Sequence, residues 1–201
     1  MKTLITITAA LAFVGTATAD DKKPEAPKKA PEAKKEEPKK EAPKMEPPKM
    51  AAPKPAPELE AMAKTMVGSW KCAGKAMDMA GAAMEFKGLA LKETLDLEKF
   101  WIKGEMTGQI GPMKVRMIEY ITYDAGQKKW FRASVDNHGG HETNWSSDGK
   151  TWDGESVMMG MSMKSKATLD FTTPGKEWKI TAQMSMDGKK WAPGFEMTCK
   201  K

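Results

Sequence analysis

Met159, Met161, Met163, Ala167, Leu169 and Phe171 fall on one face of a period-two run, and only Ser165 breaks the apolar set. Lys164, Lys166, Thr168, Asp170 and Thr172 take the other face. After Pro174-Gly175 the pattern returns, with Trp178, Ile180, Ala182, Met184 and Met186 set against Lys179, Thr181, Gln183 and Ser185. One-sided strands joined by a tight turn belong to an antiparallel sheet with one wet face. No segment after Gly68 reads as a long helix, so nothing large is available to cover the dry face. The sheet must cover itself, as a barrel or a sandwich. Helical bundles and α/β layers are excluded.

The rest of the chain from Trp70 onward reads the same way. Leu89, Leu91, Leu95 and Leu97 share a face with Glu93 in their midst, and Phe100, Ile102 and Met106 follow. Val115–Tyr123 is apolar on both faces, Trp130–Val135 returns, and a further strand surrounds Trp145. Gly111-Pro112, Asp124-Ala125-Gly126, Asp148-Gly149 and Asp187-Gly188 supply the turns. About ten short runs spaced in this way read as an all-β, antiparallel chain that meanders up and down and closes on itself. A short helix precedes them over 57–67, marked by Pro57, early Glu58 and Glu60, late Lys64 and the stop at Gly68. Its apolar face, Leu59, Met62, Ala63 and Met66, needs a cover, and the end of a barrel would supply one.

In a meander that closes, Gly68-Ser69-Trp70-Lys71-Cys72 and Phe195-Glu196-Met197-Thr198-Cys199 are the two sides of the seam. Cys72 and Cys199 are the only cysteines. Their parity places both on inward faces of neighbouring strands, where a disulfide can span the gap. Lys201 has the parity to lie across Trp70.

Residues 1–19 carry Lys2, an apolar run from Leu4 to Val14, and Ala17-Thr18-Ala19. This is the pattern of a secretory signal peptide, too short in its apolar run to span a bilayer. Cleavage after Ala19 would leave a periplasmic or secreted protein that is not membrane-spanning. Residues 20–56 are nearly all Pro, Ala, Lys and Glu, and ten of the thirteen prolines lie between Pro24 and Pro57. Such a segment buries too little to offset its ordering entropy, so it predicts a disordered arm. The arm carries eleven Lys against eight acids (net +3) and the leader +1, so the net +6 leaves +2 for residues 57–201. That thin excess is no footprint for nucleic acid. The arm is suited to contact an anionic cell-envelope polymer or to act as a spacer.

Several of these residues together resemble a bacterial family of calycin-like domains of unknown function. They are Pro57-Glu58-Leu59 leading to Gly68-x-Trp70, the Tyr123-Asp124 turn with Trp130 beyond it, Val135-Asp136-Asn137, the Gly149-Lys150 turn, and Thr198-x-Lys200. The resemblance covers 57–201. The Gly-x-Trp opening is also similar to the first strand of lipocalins and fatty-acid-binding proteins. The resemblance implies an all-β, antiparallel up-and-down barrel of about 8–10 strands around an internal cavity, Trp70 as a plug at its base with a basic residue across it, and no catalytic residues. This chain departs from it in its many methionines and in Lys where such barrels often end in Arg.

The candidate chemistry is sparse. The sequence contains no nucleophile elbow, phosphate loop or paired His and Cys, so it supports neither an enzyme nor a cofactor. Inward positions Glu93, Phe100, Ile102, Met106, Met161, Met163, Phe171, Ile180 and Met184 are the candidates to line a cavity for a small apolar or amphipathic ligand. Glu93 would be a polar contact within it, with Arg116 or Arg132 as partner, unless a register break turns it outward. The alternative is a metal-handling protein. Thioethers suit cuprous ion, and Met159, Met161, Met163, Met184 and Met186, with His138 and His141, are its candidate ligands. Against it, methionine also serves as flexible core filler. A third alternative is an interaction module, a filled barrel on an adhesive arm.

Overall fold

The computed structural model describes residues 52–78 and 80–201. The leader expected over 1–19 and nearly all of the arm expected over 20–56 lie outside the described residues. One helix, α1 (Pro57–Met66), leads into β1 (Gly68–Met77), β2 (Ala83–Asp96), β3 (Trp101–Ile110), β4 (Met113–Asp124) and β5 (Lys129–Asp136). Then come β6 (His141–Ser146), β7 (Thr151–Met158), β8 (Met161–Thr173), β9 (Glu177–Ser185) and β10 (Ala192–Lys200). Each strand pairs antiparallel with the next, and β10 pairs with β1, so the ten strands close an up-and-down barrel. Closure, rather than a sandwich, removes both sheet edges.

The seam lies where the cysteine parity places it. Cys72 faces Cys199 across β1 and β10 and the two are disulfide-bonded, with Cα atoms 4.0 Å apart. One turn of the sheet away, Trp70 is buried and packs edge-on to Trp178 at 6.1 Å. Its indole N–H donates to the Met66 carbonyl at 2.7 Å, tying α1 to β1. Lys201 lies over the Trp70 ring, its Nζ 4.6 Å from the centroid, and donates to the Val67 carbonyl at 3.0 Å. Gly68 leaves the space for it. A Cβ there would stand 2.6 Å from Lys201 Cε, and the backbone sits at φ +145°. The Gly-x-Trp opening and its basic cover are therefore one packing unit, with Lys201 across Trp70 as its parity predicts.

At ten residues α1 would be marginal alone. It is held by burying Leu59, Ala63 and Met66 in the same core as Trp70, Ile102, Trp130 and Leu169, and so closes one end of the barrel. The hairpins at the opposite end are uncovered by any described element.

The alternation departs from expectation at strand ends. Glu93 stays on the inward face with Leu89 and Leu91, whereas Leu95 and Leu97 are exposed because β2 runs out into the turn at 97–100. Arg116 faces outward, which removes it as a partner for Glu93. Met159 lies in the β7–β8 turn at φ +50° and is 62% exposed, not on the β8 face. In β9, Trp178, Ile180 and Ala182 point inward, but then Ser185 is buried and Met186 is 62% exposed. Met186 stands past the end of β9, in the turn to β10, and the extra residue of the adjoining register shift, between Pro193 and Phe195, is on β10.

Candidate functional site

A cavity of about 630 Å³ enters the barrel at the end away from α1. That is the size of a small-molecule site. Phe86, Leu89, Trp152, Leu169, Trp178 and Ile180 form much of its wall, and twelve methionines border it. Met77, Met84, Met113, Met158, Met159 and Met186 stand at the mouth, on or beside the turns between strands, with His138 and His141 from the β5–β6 loop. Thioether side chains are flexible and polarizable, so such a wall adapts to irregular shapes.

The wall is not uniformly apolar. Register places Glu119, Ser134, Glu142 and Ser156 side by side across β4, β5, β6 and β7, and all four border the cavity. On the neighbouring rung, Arg132 Nε donates to Glu119 Oε2 at 2.8 Å, and both side chains are buried. Burial would lower the Arg132 pKa, but the Glu119 and Glu142 carboxylates outweigh it and hold the guanidinium above its ordinary value. Asn144 donates through Nδ2 to Ser165 Oγ at 2.9 Å and to Glu142 Oε1 at 3.2 Å.

Glu93 and Glu119 flank Gly104 on the same rung. A Cβ at Gly104 would stand 2.8 Å from Glu119 Cγ and Oε1, so the glycine is the slot in which Glu119 lies. Glu93 itself is 1% exposed, and among the described residues neither carboxyl oxygen has a hydrogen-bond partner. Burial first, and the Glu119 charge second, push its carboxyl up to about 9. The Trp70 N–H, committed to Met66, acts on Glu93 only as a nearby dipole.

Glu93 is therefore protonated in the folded protein at neutral pH and ionised in the unfolded chain. The folded state binds the extra proton between the ordinary carboxyl value and about 9. The contribution is fully present at pH 4 and fades as pH rises towards about 9. The urea midpoint should accordingly fall from pH 5 to pH 9, and Glu93→Gln should flatten that slope. Parallel profiles for the two proteins would refute the assignment.

The sequence-derived candidates divide by depth. Met106, Met163, Ile180 and Met184 border the cavity. Glu93 and Ile102 are buried outside its lining, Phe171 packs against the core, and Phe100 lies half-buried in the β2–β3 turn. Ile102, Phe100 and Phe171 sit at the end that α1 closes, where the helix takes the space. Met161, half-buried at the start of β8, is also outside the lining. Of the thioether and imidazole set, Met159, Met186, His138 and His141 stand at the mouth while Met163 and Met184 lie within the wall. His138 Nε2 is held to the Lys114 carbonyl at 2.9 Å. Among the described residues no three His, Cys, Asp or Glu side chains group to hold a metal, and no helix is long and apolar enough to cross a membrane. From sequence Glu142 is legible only as a possible further metal ligand beside His138 and His141, and Glu119 only by its inward parity among Val115, Met117 and Ile121 on β4.

Among solved structures, the crystal structure of Rv2717c from M. tuberculosis is similar over 74% of this chain and 99% of that one, at 13% identity and a TM-score of 0.51. The likeness is to a barrel of the same fold. It establishes the fold alone. The S-type phycobiliprotein lyase CPES from Guillardia theta aligns over 71% of this chain and 90% of its own, at 12% identity and a TM-score of 0.42. No protein-family model and no curated protein sequence matches the chain.

Proposed function

We propose that this chain is an exported, non-enzymatic barrel protein that takes a small apolar or amphipathic molecule into its methionine-rich cavity. The observation that carries this reading is the cavity itself, about 630 Å³ within a closed barrel, apolar over most of its wall and polar on one strip. A filled core would have had no such volume. Export is supported by the leader pattern over 1–19 and by the Cys72–Cys199 bond, since disulfides persist in oxidising compartments. The Lys- and Pro-rich arm then holds the barrel near an anionic envelope polymer.

The test is occupancy and its loss. Native mass spectrometry of the protein from its own host should show an added organic mass, and a metal mass would favour the thioether alternative. An environment-sensitive apolar dye should bind one to one. Met163→Trp and Met184→Trp, which fill the wall, should each weaken it at least tenfold while the far-ultraviolet spectrum stays native. Dye binding undiminished by both would place the ligand outside the barrel and end this reading.

A further inference from the structure

Three interior carboxyl groups, Glu93, Glu119 and Glu142, share a single guanidinium, that of Arg132. Glu93 is neutral because it is buried without a partner. Glu119 takes the short bond to Arg132. Glu142 is then left one positive charge short, on a wall that a ligand reaches. Among the described residues its Oε1 receives the neutral Asn144 amide alone, at 3.2 Å. Register sets Glu142 directly between Ser134 on β5 and Ser156 on β7, both buried and both bordering the cavity. Ser156 is 6% exposed, and its hydroxyl has no partner among the described residues.

We propose, on the reading given above, that the cavity selects a cationic amphiphile: an apolar primary amine whose ammonium sits against Glu142 between Ser134 and Ser156. A primary ammonium has three N–H donors. The strip offers it three acceptors of the right kind, one carboxylate and two hydroxyls. A carboxylate head is disfavoured, because Arg132 is already engaged and Glu119 and Glu142 would repel it. The mouth has the same bias. Among the described residues Asp78, Asp136 and Asp187 border it with Lys190 as the one lysine, although each aspartate also accepts backbone N–H groups of its own turn. Carboxylates ringing an apolar opening draw cations inward.

The experiment is calorimetric titration of the full chain with octylamine, octanol and octanoate. Octylamine should bind at least tenfold more tightly than octanol, and octanoate most weakly. In Glu142→Gln octylamine should lose its advantage and bind no more tightly than octanol does to the same variant, while the far-ultraviolet spectrum stays native. Octanoate binding as tightly as octylamine would overturn the head-group assignment and leave the cavity reading standing. An unaltered preference for octylamine in Glu142→Gln would overturn the anchor. Failure of all three to bind, with the apolar dye also excluded, would overturn the cavity reading itself.

Discussion

Replacing Cys72 and Cys199 together by alanine should destabilise the domain by about 5 kcal/mol. The bond joins residues 127 apart, so it encloses almost the whole barrel. In the chain-entropy treatment the stabilisation grows with the logarithm of the enclosed loop, and a loop of this length lies near the top of the range. The bond also spans the β1–β10 seam, the one pairing that a meander does not obtain from a neighbouring hairpin. Without it, closure rests on the strand ladder and on Lys201 over Trp70. Urea unfolding of the alanine pair against the oxidised protein measures the loss, and reduction of the native protein should lower the midpoint in the same direction. A difference under about 1 kcal/mol would mean that the seam is closed without the bond and that the unfolded chain is already compact.

Arg132→Met is the second. It removes the cation from a buried pair and leaves Glu119 with a charge that the interior does not solvate. Breaking such a pair from one side costs about 3–5 kcal/mol. Most of that is the burden of the orphaned carboxylate rather than the worth of the bond. Arg132→Met combined with Glu119→Gln should therefore recover most of the stability, because neither partner is then charged. The double variant falling as low as the single one would show that Arg132 acts through packing and not through charge.

Much of the barrel is written locally. Strand alternation has a period of two wherever it occurs, so Met163, Ala167 and Leu169 on β8 and Trp178, Ile180 and Ala182 on β9 declare their face without knowledge of their neighbours. Turn residues mark the hairpins for the same reason, and the parity of Cys72 and Cys199 follows from counting along two strands. What counting cannot reach is anything that depends on where a strand ends or what lies beside it. Leu95 and Leu97 keep the inward parity yet are exposed, because β2 ends at Asp96. Met186 keeps the parity of Ile180 yet is exposed, because β9 ends at Ser185. Phe100, Ile102 and Phe171 point to the end that α1 fills, while Met163 and Met184 point to the end left open. Which inward residues border a void is thus decided by a helix many residues away in the sequence.

The polar strip shows the division most sharply. Glu119, Ser134, Glu142 and Ser156 come from four strands and are unremarkable in each. Only hydrogen-bonded register sets them on one rung, with Arg132 on the next. The sequence by itself determined the strands, their faces, the helix and the pair of cysteines, because these follow from short-range stereochemistry. Tertiary structure decided that the sheet closes, where it stays hollow, and which charges meet inside, because closure, packing and Coulomb energy depend on distances between residues far apart along the chain.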